Sequence, residues 1–241
     1  MSGLIPAAAA LTAFVISCVL GKPAIALLKR LKYGQTIRDE GPQWHKSKQG
    51  TPTMGGVVIA IGTAVGIAVA FAISISLGGD IKFEFSNKLQ LVKTLAGIGL
   101  CFGMGLIGFI DDYIKVAKKR NLGLTAIQKT VFQMAVTVAY LACLAFGGLK
   151  ETWVPFVGAV NIVSGVGLIF WPIALFFVYG FTNAVNLTDG VDGLASSVTT
   201  VVAASFLVMS GLLGFVANGT FAAALTGACI GFMVFNWHPA K

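Results

Sequence analysis

Seven apolar runs, at about 4–28, 54–78, 91–110, 128–147, 161–181, 195–217 and 221–236, constrain this chain more than any other feature. A helix needs roughly 20 apolar residues to cross a hydrocarbon core about 30 Å thick. Each run has that length or comes near it, the last being the shortest. Backbone groups in lipid must find their partners inside the structure, which leaves helices or a closed barrel. Barrel strands alternate apolar and polar residues, and these runs do not. Composition agrees: 56% of residues are hydrophobic and 11% charged, against roughly 25% charged in soluble domains. Mean hydropathy is +0.87. The expectation is an all-α integral membrane protein, a polytopic helical bundle forming one domain over 1–241, without a soluble domain, low-complexity linker or repeat.

Charge predicts the orientation. No basic residue precedes the first run, whereas Lys22, Lys29, Arg30 and Lys32 lie within or after its end. That pattern argues against a cleavable signal peptide and places the N-terminus outside. Counting crossings puts loops 29–53, 111–127 and 182–194 inside, together with the end of the chain. Arg38, Lys46, Lys48, Lys115, Lys118, Lys119, Arg120 and Lys129 fall on that side, against Lys82, Lys88, Lys93 and Lys150 on the other. The net charge of +8 is then explained by anionic headgroups and the positive-inside rule, and it needs no nucleic acid.

Several features read as packing. Cys18, Cys101, Cys143 and Cys229 sit singly in apolar runs, without the spacing of a disulfide framework or metal site. "GIGLCFGMGLIG" suggests close helix approach through small residues. Its formal G-x-G-x-x-G match lacks the strand–turn–helix context of a dinucleotide site. Pro23 and Pro172 are expected to kink the first and fifth spans. Trp44, Trp153 and Trp237 fall near interfaces, whereas Trp171 lies mid-span without an evident reason.

With only nine acidic residues, their positions carry information. Asp80, Glu84 and Glu151 belong to outer loops, and Asp39 and Glu40 suit a polar inner surface. Asp111, Asp112, Asp189 and Asp192 stand at helix ends beside apolar runs, where functional carboxylates gather. In "NAVNLTDGVDGLASS", Asn183, Asn186, Asp189 and Asp192 recur every third residue, and Gly190 and Gly193 suit a loop that lets backbone approach a ligand. Thr188 or Asp192 could instead cap the next helix. "DDYIKVAKKRNLGLTAIQK" joins Asp111 and Asp112 to Lys115 and Lys129. One carboxylate could face a metal or substrate while a lysine holds the other, or the group could be an interfacial cap with snorkelling lysines. "HKSKQGTPTMGG", with Lys48, Thr51 and Thr53, reads equally as an anion-binding helix start or as inner-loop charge with a Pro-Thr cap. "FNWHPAK" brings Asn236 and His238 to the same face. Acids, amides and lysines converging there suit a divalent metal holding a phosphorylated, lipid-tailed substrate.

At these motifs the sequence resembles the polyprenyl-phosphate N-acetylhexosamine-phosphate transferase superfamily, with "TPTMGG" and "NLTDGVDGLA" favouring its muramoyl-pentapeptide branch. The resemblance implies attack of undecaprenyl phosphate on the β-phosphate of UDP-N-acetylmuramoyl-pentapeptide, giving lipid I and UMP with Mg²⁺, at the cytoplasmic face of the bacterial cell membrane. It implies that Asp111 and Asp112 are catalytic, Asp111 being favoured for binding or deprotonating the lipid phosphate. Lys48, Thr51, Lys115, Lys129, Asn183, Asp189, Asp192 and Asn236 would bind substrate. Asn186 and Asp189 would serve the metal. A homodimer is a further possible assembly. Members continue after N-x-x-P-A-K with a V-F-M-G-D-x-G-S motif, three more spans and a His-rich loop. The expectation is therefore a domain incomplete at its C-terminus and inactive alone, with a further aspartate ligand beyond Lys241. A sibling N-acetylglucosamine-phosphate transferase is the nearest alternative. A transporter fits less well, because its acids would lie at the midplane.

Overall fold

A computed structural model describes residues 3–30, 53–77, 85–118, 122–238 and 240. Lys48 and Thr51 lie outside the described residues, as do Asp39, Glu40 and the basic residues beside them. Seven helices long and apolar enough to cross a membrane are present among the described residues. They are α1 (Leu4–Arg30), α2 (Gly56–Ser76), α3 (Lys88–Ala117), α4 (Ala126–Phe146), α5 (Phe170–Thr188), α6 (Leu194–Leu213) and α7 (Val216–Asn236).

The helices pack in two groups, α1, α2, α6 and α7 in one and α3, α4 and α5 in the other, touching lightly through α2–α3 and α5–α6. In the first group α1 buries Ile5, Ala9, Ala13, Ser17 and Gly21, one stripe of every fourth residue. That stripe meets Ile67 and Ala70 of α2 and Ala223, Ala224 and Ala228 of α7. With so many small residues the backbones come together. A Cβ on Gly227 would overlap the Ala10 carbonyl oxygen, and one on Gly66 would sit 2.7 Å from that of Ala9. Van der Waals packing of this kind drives helix association where lipid is as apolar as the side chains. The glycines of α3 behave otherwise: Gly97, Gly99, Gly105 and Gly108 have open space where a Cβ would be, and only Gly103 faces a neighbour, Val136. The close-packing stretch is therefore the α1–α2–α7 core, not "GIGLCFGMGLIG".

Other helix boundaries differ from the sequence expectation for identifiable reasons. At about 1.5 Å per residue, the 30 residues of α3 span about 45 Å. It continues unbroken past Asp111 and Asp112, which stand inside its last turns rather than at its end. The apolar run beginning at 161 is not one helix. β1 (Glu151–Val154) and β2 (Gly158–Asn161) form an antiparallel hairpin, and a 3₁₀ turn (Gly165–Ile169) then leads into α5. Pro172 therefore sits in the first turn of α5, where a missing N–H has no helical partner to lose, and not at a mid-span kink. Trp171 gains a reason: its Nε1–H donates to the Ile162 carbonyl at 2.9 Å, and its ring joins the cluster around Leu141, Leu144, Leu149 and Ile162. The α6–α7 turn falls at Gly214, at φ +75°, while Asn218 and Gly219 are already helical.

α5 buries no residue completely. Phe176, Phe177 and Phe181 on α5, with Phe102, Leu106 and Phe109 on α3, are exposed apolar surface of the kind a bilayer covers.

Candidate functional site

One end of the bundle collects the end of α1, the start of α2, the α3–α4 and α5–α6 connections and the end of α7. Gly55 against the Phe232 ring, Gly21 against Phe235 and Gly193 beside the Asn236 carbonyl, where a Cβ would come to 3.4 Å, join the ends of α1, α2 and α7 to the start of α6. At the α3 end of this face Lys115 bridges two carboxylates. Its Nζ lies 2.6 Å from Asp111 Oδ2 and 2.9 Å from Asp112 Oδ1, as residues four and three apart on a helix allow. Asp111 is buried, and its Oδ1 accepts the Leu124 N–H at 2.8 Å. The Asp112 side chain is about one-third exposed. The partly solvated Lys115–Asp112 arm contributes roughly 0–1 kcal/mol, so it orients the carboxylate more than it stabilises the fold, whereas buried Asp111 depends on its partners.

The amino end of α4 stands against this pair. Thr125 caps it in a capping box with Gln128, and Lys129 stands in the first turn of the helix. Lys129 Nζ donates to Asn186 Oδ1 of α5 at 3.2 Å. Deeper along the same seam, Asn183 Nδ2 donates to Gln133 Oε1 at 3.0 Å and to the Tyr179 carbonyl at 2.9 Å. The hydroxyls of Thr130 and Tyr179 meet at 3.1 Å. Gln133, only 3% exposed, escaped the sequence reading because it sits alone in an apolar run. The signal was periodic: Lys129, Gln133 and Thr137 are four apart on α4, and Tyr179, Asn183 and Asn186 share the facing stripe of α5.

A second group lies at the α5–α6 turn. Asp192 Oδ2 contacts His238 Nδ1 at 3.1 Å and accepts the Ala240 N–H at 3.4 Å. Asp192 thus fastens the chain after α7, and the helix it was expected to cap starts from Gly193 without a side-chain cap bond. The alternative cap by Thr188 is likewise not formed, since its hydroxyl donates back to the Ala184 carbonyl at 2.9 Å. Asp189 ends α5 and is exposed. Nor does Thr53 cap α2: Gly55 holds that position without a side-chain bond. The Thr53 hydroxyl is buried with no hydrogen-bond partner among the described residues. The structure thus links Asp111 and Asp112 through Lys115, pairs Lys129 with Asn186 across α4 and α5, seats Asn183 one turn deeper, and holds Asp192 and Asn236 in the neighbouring group.

All carboxylate and amide donors here are oxygen ligands. Among the described residues no three His, Cys, Asp or Glu side chains form a ready-made metal cage. Fold and site together define a polytopic helical membrane protein with a carboxylate–lysine–amide cluster at one end of its bundle.

Residues 94–241 match the family described as glycosyl transferase family 4. Residues 48–59 match phospho-N-acetylmuramoyl-pentapeptide-transferase signature 1. The chain is 38% identical over 235 residues to the phospho-N-acetylmuramoyl-pentapeptide-transferase of Clostridioides difficile, covering 96% of this chain and 67% of that protein. It is 41% identical over 233 residues to that of Desulforamulus reducens, covering 95% and 65%. With the Bacillus mycoides protein of the same name identity is 40% over 229 residues, covering 95% and 66%. The chain belongs to glycosyl transferase family 4, in its phospho-N-acetylmuramoyl-pentapeptide transferase branch. It spans about two thirds of the length of these curated relatives.

Proposed function

We propose that this protein transfers phospho-N-acetylmuramoyl-pentapeptide from its UDP-linked donor to undecaprenyl phosphate in peptidoglycan synthesis, releasing UMP and forming lipid I. The observation that carries this reading is the identity of 38–41% with transferases of that name along nearly the whole chain. The cluster on α3, α4 and α5 is chemically suited to it. In the reaction an oxygen of the lipid phosphate bonds to the β-phosphorus, the bond from that phosphorus to the bridging oxygen breaks, and UMP leaves with the electron pair. Phosphoryl transfer of this kind depends on positioning and charge neutralisation more than on covalent help.

Each residue then has a task. Asp111 or Asp112 binds the acceptor phosphate or takes its proton, with Lys115 holding both carboxylates in place. Lys115 and Lys129 neutralise phosphate charge, and so does Lys48. Thr51, Asn183, Asp189, Asp192 and Asn236 hold the donor. The oxygen-only donor set fits Mg²⁺, which typically takes one or two carboxylates and completes its shell with substrate phosphates and water. Asn186 and Asp189 are the residues proposed to hold it. When bound, the ion supplies charge neutralisation across the phosphates. The Asn186 oxygen accepts from the Lys129 ammonium, so the residue that would hold the ion stands beside a lysine suited to phosphate charge.

The excess of lysine and arginine at this end supports a cytoplasmic site in a multi-pass cell membrane protein with its N-terminus outside. UMP release by the intact protein in detergent, with undecaprenyl phosphate and each of two UDP donors, tests the proposal. Release from UDP-N-acetylmuramoyl-pentapeptide, abolished by EDTA and restored by Mg²⁺, is expected. Release only from UDP-N-acetylglucosamine would transfer the assignment to the sibling branch.

A further inference from the structure

Gly123 and Leu124, just before α4, close on the Asp111 carboxylate. Leu124 donates its N–H to Oδ1 at 2.8 Å. Gly123, just before it, is pressed so closely on Asp111 that a Cβ would overlap Oδ1 and lie 2.7 Å from Cγ. Thr125 follows as the N-cap of α4. Its hydroxyl accepts the Gln128 N–H at 3.2 Å, and its own N–H donates to the Gln128 side chain at 3.0 Å. Asp111 therefore faces the amino end of a 21-residue helix, where aligned peptide dipoles leave partial positive charge. The anion held at this helix start belongs to the protein. Leu124, which donates to Asp111, lies two residues before α4, the helix that carries Lys129.

We propose that Gly123 is a positioning residue. Its missing side chain seats the residues before α4 on Asp111 and so holds that carboxylate against Lys115. The contact follows from the structure alone, while its effect on turnover rests on the transferase reading above. A side chain at 123 pushes the Leu124 N–H away, and Asp111 loses one of its two fixed oxygens. Lys115 alone then orients it.

Gly123→Ala, Thr125→Val and Thr125→Ser, prepared in the intact protein, test this through two readouts. Displacing a catalytic group by about 1 Å can cost about a hundredfold in rate. The expected result for Gly123→Ala is accordingly a kcat loss of at least about tenfold, with KM for the UDP donor within about twofold. Thr125→Val removes the N-cap side chain that holds the start of α4, so its kcat is expected to fall by less than that of Gly123→Ala, with Thr125→Ser restoring it. Hydrogen exchange at Leu124 reads the contact without any turnover. Protection should be present in the wild type and fall at least about tenfold in both Gly123→Ala and Asp111→Ala, as for a lost hydrogen bond to a charged group. Wild-type kcat in Gly123→Ala, or Leu124 exchange indifferent to Asp111→Ala, overturns the proposal. If the wild type releases no UMP, the transferase reading fails and the exchange measurement alone decides the positioning role.

Discussion

Gln133→Leu is the most informative single change at the α4–α5 seam. Gln133 is 3% exposed, and its Oε1 accepts Asn183 Nδ2 at 3.0 Å. Leucine has nearly the same volume, so the substitution opens no cavity and removes only the polar contact. Asn183 Nδ2 keeps its second acceptor, the Tyr179 carbonyl at 2.9 Å, so one amide proton remains satisfied and the other is stranded. Interhelical hydrogen bonds in membranes contribute about 0.6 kcal/mol on average and up to about 2. That corresponds to roughly a threefold to thirtyfold shift in the folding equilibrium. A double-mutant cycle isolates it: Gln133→Leu, Asn183→Ala and both together, unfolded reversibly in mixed micelles. The expected coupling is about 0.6–2 kcal/mol. Gln133→Ala should lose more than Gln133→Leu, because it adds a cavity to the lost bond. Coupling within about 0.3 kcal/mol of zero would refute the view that this pair holds the seam together.

Three further outcomes are expected. Gly227→Leu pushes a side chain into the Ala10 carbonyl, whereas Gly97→Leu enters open space; overpacking costs about 1–3 kcal/mol, so the first should melt lower in detergent and the second should match the wild type. Trp171→Phe loses the hydrogen bond to the Ile162 carbonyl while keeping most of the packing, and should destabilise the hairpin and the start of α5 by about 1 kcal/mol, visible as faster exchange over 158–171. Lys115→Met leaves two adjacent carboxylates, one of them buried, without their shared cation; stability should fall by more than the roughly 1 kcal/mol of an exposed pair, while turnover falls by about a hundredfold.

The sequence and the structure agree where the physics is simple. A run of twenty apolar residues has few fates, so all seven spans were legible. Their ends were not, because hydropathy stops at the first charge and a helix need not. α3 runs on through Asp111 and Asp112 because Lys115, a turn later, pairs with both. The run from 161 fails as a helix because Ser164, Gly165 and Gly167 break it into a 3₁₀ turn. The small-residue stripe Ala9, Ala13, Ser17 and Gly21 was present in the sequence, but nothing there said which of several glycine-rich runs would find a partner. The candidate site was legible for a different reason. Acidic residues are so scarce that each position mattered, and Asp111, Asp112, Asp189 and Asp192 stand at the same end of the bundle. The Gly123–Leu124 seat was not legible, because a loop glycine acquires meaning only from the partner that folding brings to it; Gln133 left only its four-residue spacing from Lys129 and Thr137.

The most direct test of the central claim is transfer of labelled phospho-N-acetylmuramoyl-pentapeptide from the UDP donor into an undecaprenyl-linked, solvent-extractable product. It is to be measured in the intact protein and in Asp111→Asn and Asp112→Asn. The account predicts Mg²⁺-dependent transfer by the wild type and a large loss, about a hundredfold or more, in at least one of the two variants. Near-normal transfer in both variants would contradict it.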